Sequence, residues 1–195
     1  MNKPIFIDFG CGPNTKHLIR YRKKGYYVIS VDRSEQDLYE NSDIKDISYY
    51  ELVSDEISFF DITDLSKKTN YPADVWNCGA VMEHIEPNQI DPFLYGIKNS
   101  CKKGSRGVIY IDLTDHFGGF DHRVNPEKYN HFIKNAYEEI EWFDIIGRHF
   151  EIEEWWRRFK SNISSEGFVT IRGPKNKFQI SNSGNCIALS FYVFV

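Results

Sequence analysis

Three short stretches of this sequence combine carboxylates with bare backbone at intervals that suit a nucleoside-bearing ligand. Asp8 is followed by Phe9, Gly10, Cys11 and Gly12, a bend in which glycines permit a tight turn and let a ligand lie against main chain. Asp32 stands 20 residues beyond Gly12, an offset at which one carboxylate can take both hydroxyls of a ribose. Asp61 and Asp64 follow a third apolar run, placed to accept from an exocyclic amine. Each feature has an ordinary explanation when taken singly. Gly-x-Gly occurs in many loops, and an aspartate that closes a strand often caps the next helix. Their conjunction in this order and spacing is harder to produce from packing requirements alone.

A second group of residues suits acid–base work. Between positions 112 and 123 lie Asp112, Asp115, His116, His122 and Arg123, with Gly118 and Gly119 between them and Phe117 and Phe120 beside them. His116 can serve as a base toward an acceptor hydroxyl, with Asp115 as its neighbouring carboxylate. Sequence neighbours in an extended segment point opposite ways, so the acid that orients the ring can also come from elsewhere. His122 and Arg123 suit an anionic group on the acceptor. The paired glycines would let the segment act as a lid. Glu83 and His84 follow the fourth apolar run; Glu83 reads as structural, and His84 reads equally as a base or as a residue ordering its turn. Trp155 and Trp156 could stack on a sugar ring, but such pairs more often pack in a core or at a sheet edge. Lys175 and Lys177 read as a basic loop tip. D-x-H spacing can also ligate metals, but with no second partner set no metal is expected.

These residues must be positioned by strands and helices in alternation. Residues 5–9 are an apolar, β-prone run ending at the glycine bend, and a basic, helix-compatible stretch covers 14–24. Gly25 gives a helix stop, and 26–31 form a second buried-type strand before Asp32. That βαβ unit predicts two parallel strands. Residues 33–56 are polar and mixed, with weak helical periodicity over 39–50, before a third strand at 57–60. A fourth strand is expected at 73–78, then a helical region to 103 broken near its start by Pro87 and Pro92, then a fifth strand at 107–113. Apolar residues Phe132, Ile133, Ala136, Ile140, Phe143 and Ile146 recur at three- and four-residue intervals and predict an amphipathic helix over 131–147. Beyond it, 150–156 read as an edge strand, 161–183 as loop with a short hairpin, and 186–195 as a strongly β closing strand. The pattern predicts a single α/β domain, a three-layer sandwich around a mostly parallel sheet.

Composition agrees and excludes other classes. The 195 residues are 41% hydrophobic and 16% aromatic, enough for one sizeable core and cramped for two. Twenty-four basic against 28 acidic residues give a net charge of −4, and the scattered basic residues make nucleic acid an unlikely partner by field alone. Apolar runs fall far short of the roughly 18 to 20 residues that span a bilayer. Four separated cysteines, without a C-x-x-C pair, point away from a disulfide frame or structural zinc. With no secretory pattern at the N-terminus, a reducing, cytoplasmic location is expected.

The D-x-G-C-G opening at 8–12, Val31-Asp32, Phe60-Asp61 and the run from Asp74 to Ile85, D-V-x-x-x-x-x-V-x-E-H-I, together resemble class I S-adenosylmethionine-dependent methyltransferases. The likeness covers about residues 4–113 and implies a Rossmann-like sandwich with a seven-stranded sheet. It implies that Gly10, Cys11 and Gly12 pass under the methionine part of S-adenosylmethionine, with Asp8 holding its amino group directly or through water. It further implies Asp32 at the ribose, Asp61 and the Ile62 backbone at the adenine, and Cys78 and Gly79 near the sulfonium. One departure is Asn14, where family members often carry a third glycine; asparagine also tolerates unusual backbone angles.

The resemblance implies methyl transfer to a small-molecule acceptor. D-x-x-D-H-F at 112–117 is similar to small methyltransferases of surface-glycan biosynthesis, which favours a hydroxyl of a sugar or sugar-linked metabolite. Segments 114–135 and 157–185 are the material available to cover the site, which suits a modest acceptor or a second copy of the chain, a homodimer, completing the pocket. Two rivals remain: a non-catalytic cofactor-binding protein of the same fold, and an NAD(P)-dependent oxidoreductase. Against the latter, Thr15 stands at the helix start where the pyrophosphate fingerprint wants glycine, and Asp8 would face phosphates with a negative charge.

Overall fold

Burial is continuous along the first strand. In the computed structural model, which describes residues 2–12, 16–36, 53–112, 131–133, 135–136, 139–148, 161–163, 168–174 and 186–195, strand β1 (Ile5–Phe9) is buried at all five positions. A strand covered on both faces is what a parallel sheet between helices requires. Helix α1 (Lys16–Lys23) follows, with Arg20, Arg22 and Lys23 in its last turn, where cations suit the helix dipole. Gly25, at φ +88°, ends the helical segment and lets the chain reverse into β2 (Tyr27–Asp32). Next come β3 (Glu56–Phe59), β4 (Ala73–Gly79), two 3-10 turns (Met82–His84 and Pro87–Gln89), and helix α2 (Ile90–Asn99). Strands β5 (Cys101–Asp112), β6 (Glu139–Arg148), β7 (Ser161–Ile163), β8 (Phe168–Pro174) and β9 (Cys186–Phe194) complete the sheet.

The strand order is β3-β2-β1-β4-β5-β9-β6-β8-β7. Pairings from β3 through β5 are parallel. Those from β5 through β9, β6, β8 and β7 are antiparallel, so only β8 and β9 run against the other strands. Order reverses between β1 and β4, because the chain moves outward from β1 to β3 and then returns to the other side of β1. That crevice is where an open α/β sheet receives ligands.

The two-residue period of β1 divides the core. Ile5, Ile7 and Phe9 join Ile90, Phe93, Leu94 and Ile97 of α2, while Phe6 joins Leu18 of α1 and Val28 of β2. Asp8 shares the α1 face with Phe6. Two glycines allow close approach elsewhere: a Cβ at Gly107 would overlap the Trp76 ring, and one at Gly96 would overlap the Ile62 carbonyl. No helix of the described residues is long and apolar enough to cross a membrane.

Three expectations change. The described residues hold nine strands instead of seven, the additional pair being the β7–β8 hairpin at 161–174, which extends the sheet beyond β6. The helix expected over 131–147 covers only 131–133 and 135–136, and the chain is extended from Glu139. Its Ile and aromatic content suits a strand, and pairing with both β9 and β8 gives its backbone partners on two sides. Between β4 and β5, helix α2 starts only at Ile90; Pro87 stands in a 3-10 turn and Pro92 in the first helical turn, where its missing N–H is tolerated. The segments 39–50, 114–129 and 150–156 lie outside the described residues.

Candidate cofactor-binding site

The glycine bend is tied to the end of the neighbouring strand. The N–H groups of Gly10 and Cys11 both donate to the Val31 carbonyl, at 2.8 and 3.1 Å. Gly10 (φ +68°) and Gly12 (φ +44°) adopt left-handed backbone that favours glycine. They differ in surroundings. A Cβ at Gly10 would overlap the Val81 side chain, so the loop after β4 packs against this bend. Among the described residues, a Cβ at Gly12 would make only an ordinary contact, with the Gly10 carbonyl oxygen at 3.8 Å.

Asp32, at the end of β2, faces that bend. Its Oδ2 accepts from the Gly12 N–H at 3.4 Å and from the Cys11 thiol at 3.7 Å, and its Oδ1 accepts from the Arg33 N–H at 2.8 Å. Asp61 is exposed beyond β3. Its Oδ1 accepts from the N–H and hydroxyl of Thr63 at 2.9 and 2.8 Å, which closes a local turn and leaves Oδ2 for solvent or a ligand. The Ile62 side chain is in the core and its carbonyl lies against Gly96, so its N–H is the group it can offer.

Asp8 is the deepest of the three aspartates. It is 1% exposed, and both oxygens are engaged: Oδ1 accepts from Asn77 Nδ2 at 2.8 Å, and Oδ2 meets His17 Nε2 at 2.6 Å. Burial of the His17 ring would lower its pKa. The hydrogen bond to Asp8 and the charge of Asp8 together outweigh burial and leave it raised. Burial first, then the charges of Asp8 and Asp32, keep the Cys11 thiol protonated. His17 and Asn77 did not stand out in the sequence. The available signal for Asn77 is register, since it lies opposite Asp8 across β1 and β4; His17 is brought to Asp8 by the packing of α1 on the shared face.

Along the β4 side, Cys78 is fully buried in the core, and burial, then Glu83 and Asp8, push its thiol pKa up. Only its main chain, with that of Gly79, can line a ligand. Ala80 follows in left-handed backbone at φ 55°, its N–H donating to the Tyr110 carbonyl at 2.9 Å. Glu83 is buried, whereas His84 is half-buried in the 3-10 turn, its N–H donating to Val81 O at 2.9 Å. Asp115, His116, His122 and Arg123 lie outside the described residues.

The arrangement of strands and loop matches solved structures. A methyltransferase from Archaeoglobus fulgidus, described as S-adenosylmethionine-dependent, superimposes with a TM-score of 0.59 at 12% identity, over 100% of this chain and 87% of that one. The N-methyltransferase NodS from Bradyrhizobium japonicum gives 0.56 at 10% identity, over 98% and 86%. A TehB-like S-adenosylmethionine-dependent methyltransferase from Corynebacterium glutamicum gives 0.54 at 16% identity, over 88% and 80%. This is the class I methyltransferase fold. At these identities the likeness is one of fold. No family model and no curated protein matches the chain by sequence.

Proposed function

We propose that this protein is an S-adenosylmethionine-dependent methyltransferase acting on a small-molecule acceptor. One observation carries the reading: a left-handed glycine bend and the carboxylates of Asp8, Asp32 and Asp61 gather at the carboxyl ends of β1, β2 and β3, beside the sheet's switch point. Local negative charge suits a cationic ligand and opposes a pyrophosphate. The donor set fits the cofactor. Asp32 would accept from ribose hydroxyls, Asp61 Oδ2 and the Ile62 N–H would meet the adenine edge, and the main chain of the glycine bend would pass under the amino-acid portion. When bound, the cofactor supplies a methyl group made electrophilic by a sulfonium.

Transfer is an in-line displacement, so the work of the chain is alignment and exclusion of water. A hydroxyl acceptor also benefits from a base within hydrogen-bond reach. His84, on the loop after β4, and His116, with Asp115, are the bases that would serve this role. His122 and Arg123 would hold an anionic part of the acceptor. The D-x-x-D-H-F run favours a sugar or sugar-linked hydroxyl.

Titration calorimetry and thermal shift with S-adenosylmethionine and with NAD test the cofactor reading. Binding of the former alone supports it; binding of NAD alone sinks it. A screen of nucleotide sugars and polyols for methyl incorporation tests the acceptor. Activity unchanged in His116→Ala would remove His116 from the chemistry, and binding without turnover on any acceptor would favour a non-catalytic cofactor-binding protein.

A further inference from the structure

The deepest carboxylate of the site has a basic partner that the cofactor reading does not use. Asp8 is buried below the bend, Asn77 holds one oxygen, and His17 holds the other at 2.6 Å. Asn77 is neutral, so His17 is the partner that can change the charge at Asp8. We propose that His17 is a positioning and specificity-determining residue: its imidazolium offsets Asp8, and its neutral form leaves the bend with the full charge of both Asp8 and Asp32. The preference for a cationic ligand over its neutral counterpart then increases when His17 loses its proton. This rests on the cofactor reading above, in which the methyl donor carries a sulfonium and the spent product, a thioether, does not.

Among the described residues, the groups around the His17–Asp8 pair come from β1, α1, the bend with β2, and β4 with its following turn. From β1, His17 meets Asp8 and the edge of the Phe6 ring, whose centroid is 6.3 Å away. From its own helix the nearby titratable groups are Arg20 and Tyr21; burial keeps the Tyr21 hydroxyl protonated, and Tyr21 stacks on Phe6. From the bend and β2, Cys11 is a protonated thiol and Asp32 a carboxylate. From β4 and its following turn come neutral Asn77, the protonated Cys78 thiol and the Glu83 carboxylate, whose charge reaches Cys78. The ring remains a donor to Asp8 through Nε2 in its neutral tautomer, so losing the proton changes charge without breaking the hydrogen bond. A cation entering beside the bend opposes the imidazolium, and by linkage its binding releases protons and tightens as pH rises.

The experiment measures affinities for S-adenosylmethionine and S-adenosylhomocysteine by calorimetry at pH 6 and pH 8, in the wild type and in His17→Gln. The glutamine keeps a donor for Asp8 and reports how the ligands' own amino groups titrate. The expected result is that preference for the sulfonium ligand grows from pH 6 to pH 8 by about threefold more in the wild type than in the variant. Equal pH dependence in both proteins overturns the proposal. Absence of binding by either ligand overturns the cofactor reading itself. A second measurement, NMR titration of the His17 ring in the wild type, removes dependence on the variant's folding. The ring pKa is expected to fall further with S-adenosylmethionine than with S-adenosylhomocysteine, and an equal fall overturns the proposal.

Discussion

Gly10→Ala tests whether the bend after β1 and the loop after β4 form one interlocked unit. Two independent penalties apply. Gly10 has φ +68°, and left-handed backbone costs an L-residue roughly 1–2 kcal/mol. The new Cβ would also stand 3.1 Å from Val81 Cγ1 and 3.3 Å from Val81 Cβ, with Cγ2 closer still. Overpacking of this kind costs about 1–3 kcal/mol. The expected loss is therefore about 2–5 kcal/mol, or a fall in Tm of roughly 5–15 °C for a chain of this size. Val81→Ala removes both methyls, so in the double variant the steric penalty is relieved while the backbone penalty remains. Urea denaturation of all four proteins should give a favourable coupling of about 1–3 kcal/mol between the two substitutions. Additivity within about 0.5 kcal/mol would refute the contact.

Ala80→Gly should raise stability by about 0.5–1 kcal/mol. Relief of the strain at φ 55° exceeds the added freedom of the unfolded chain, and a lowered Tm would contradict this. Asp32→Ala should weaken S-adenosylmethionine binding by roughly ten- to a hundredfold in calorimetry, the loss of hydrogen bonds to a charged acceptor; unchanged affinity would remove Asp32 from the site. The His17–Asp8 pair should also appear in global stability. Because the folded-state pKa of His17 is raised, its contribution is fully present below its unfolded pKa, near the ordinary imidazole value of about 6.5, and is lost as pH rises through the folded value. The urea stability gap between wild type and His17→Gln should shrink from pH 5.5 to pH 9, and a constant gap would show that charge is not involved.

Strands β1 and β2 were legible because they are buried along most of their length and appear as mostly apolar runs, Ile5–Phe9 and Tyr27–Asp32. Residues 139–148 were not, because Ile140, Phe143 and Ile146 also match a helical period that is genuine only through 136. Nothing local separates the alternatives there. Two-sided pairing by β8 and β9, which come later in the chain, decides between them. The hairpin at 161–174 has the same character, since its place at the sheet edge depends on β6. At the site, spacing identified Gly10, Gly12, Asp32 and Asp61, because each belongs to a bend or strand end that sequence can mark. It missed His17 and Asn77, whose importance depends on which face of β1 meets α1 and on which residue of β4 lies opposite Asp8.

Register also explains why three aspartates at apparently similar strand ends have different environments. Asp8 pairs with Ser30, two residues before Asp32, and Asp32 pairs with Phe59, two residues before Asp61. At about 3.3 Å per residue, successive carboxylates lie roughly 6–7 Å further toward the carboxyl edge. Exposure follows the steps: Asp8 is buried, Asp32 half-buried and Asp61 exposed. The deepest carboxylate must have its hydrogen bonds and charge satisfied by the protein itself, which is what Asn77 and His17 do. The middle one can be shared between the bend and a ligand, and the outermost needs only its own turn. Sequence spacing supplies the acidic residues; strand register sets their depth. A one-residue slip of β1 against β2 would turn Asp8 to the α2 face, toward Ile90, Phe93 and Leu94, turn Ile7 and Phe9 away from it, and separate Asp8 from His17. The apolar pattern that buries Phe6 against Leu18 is therefore also what selects the register in which Asp8 is paired.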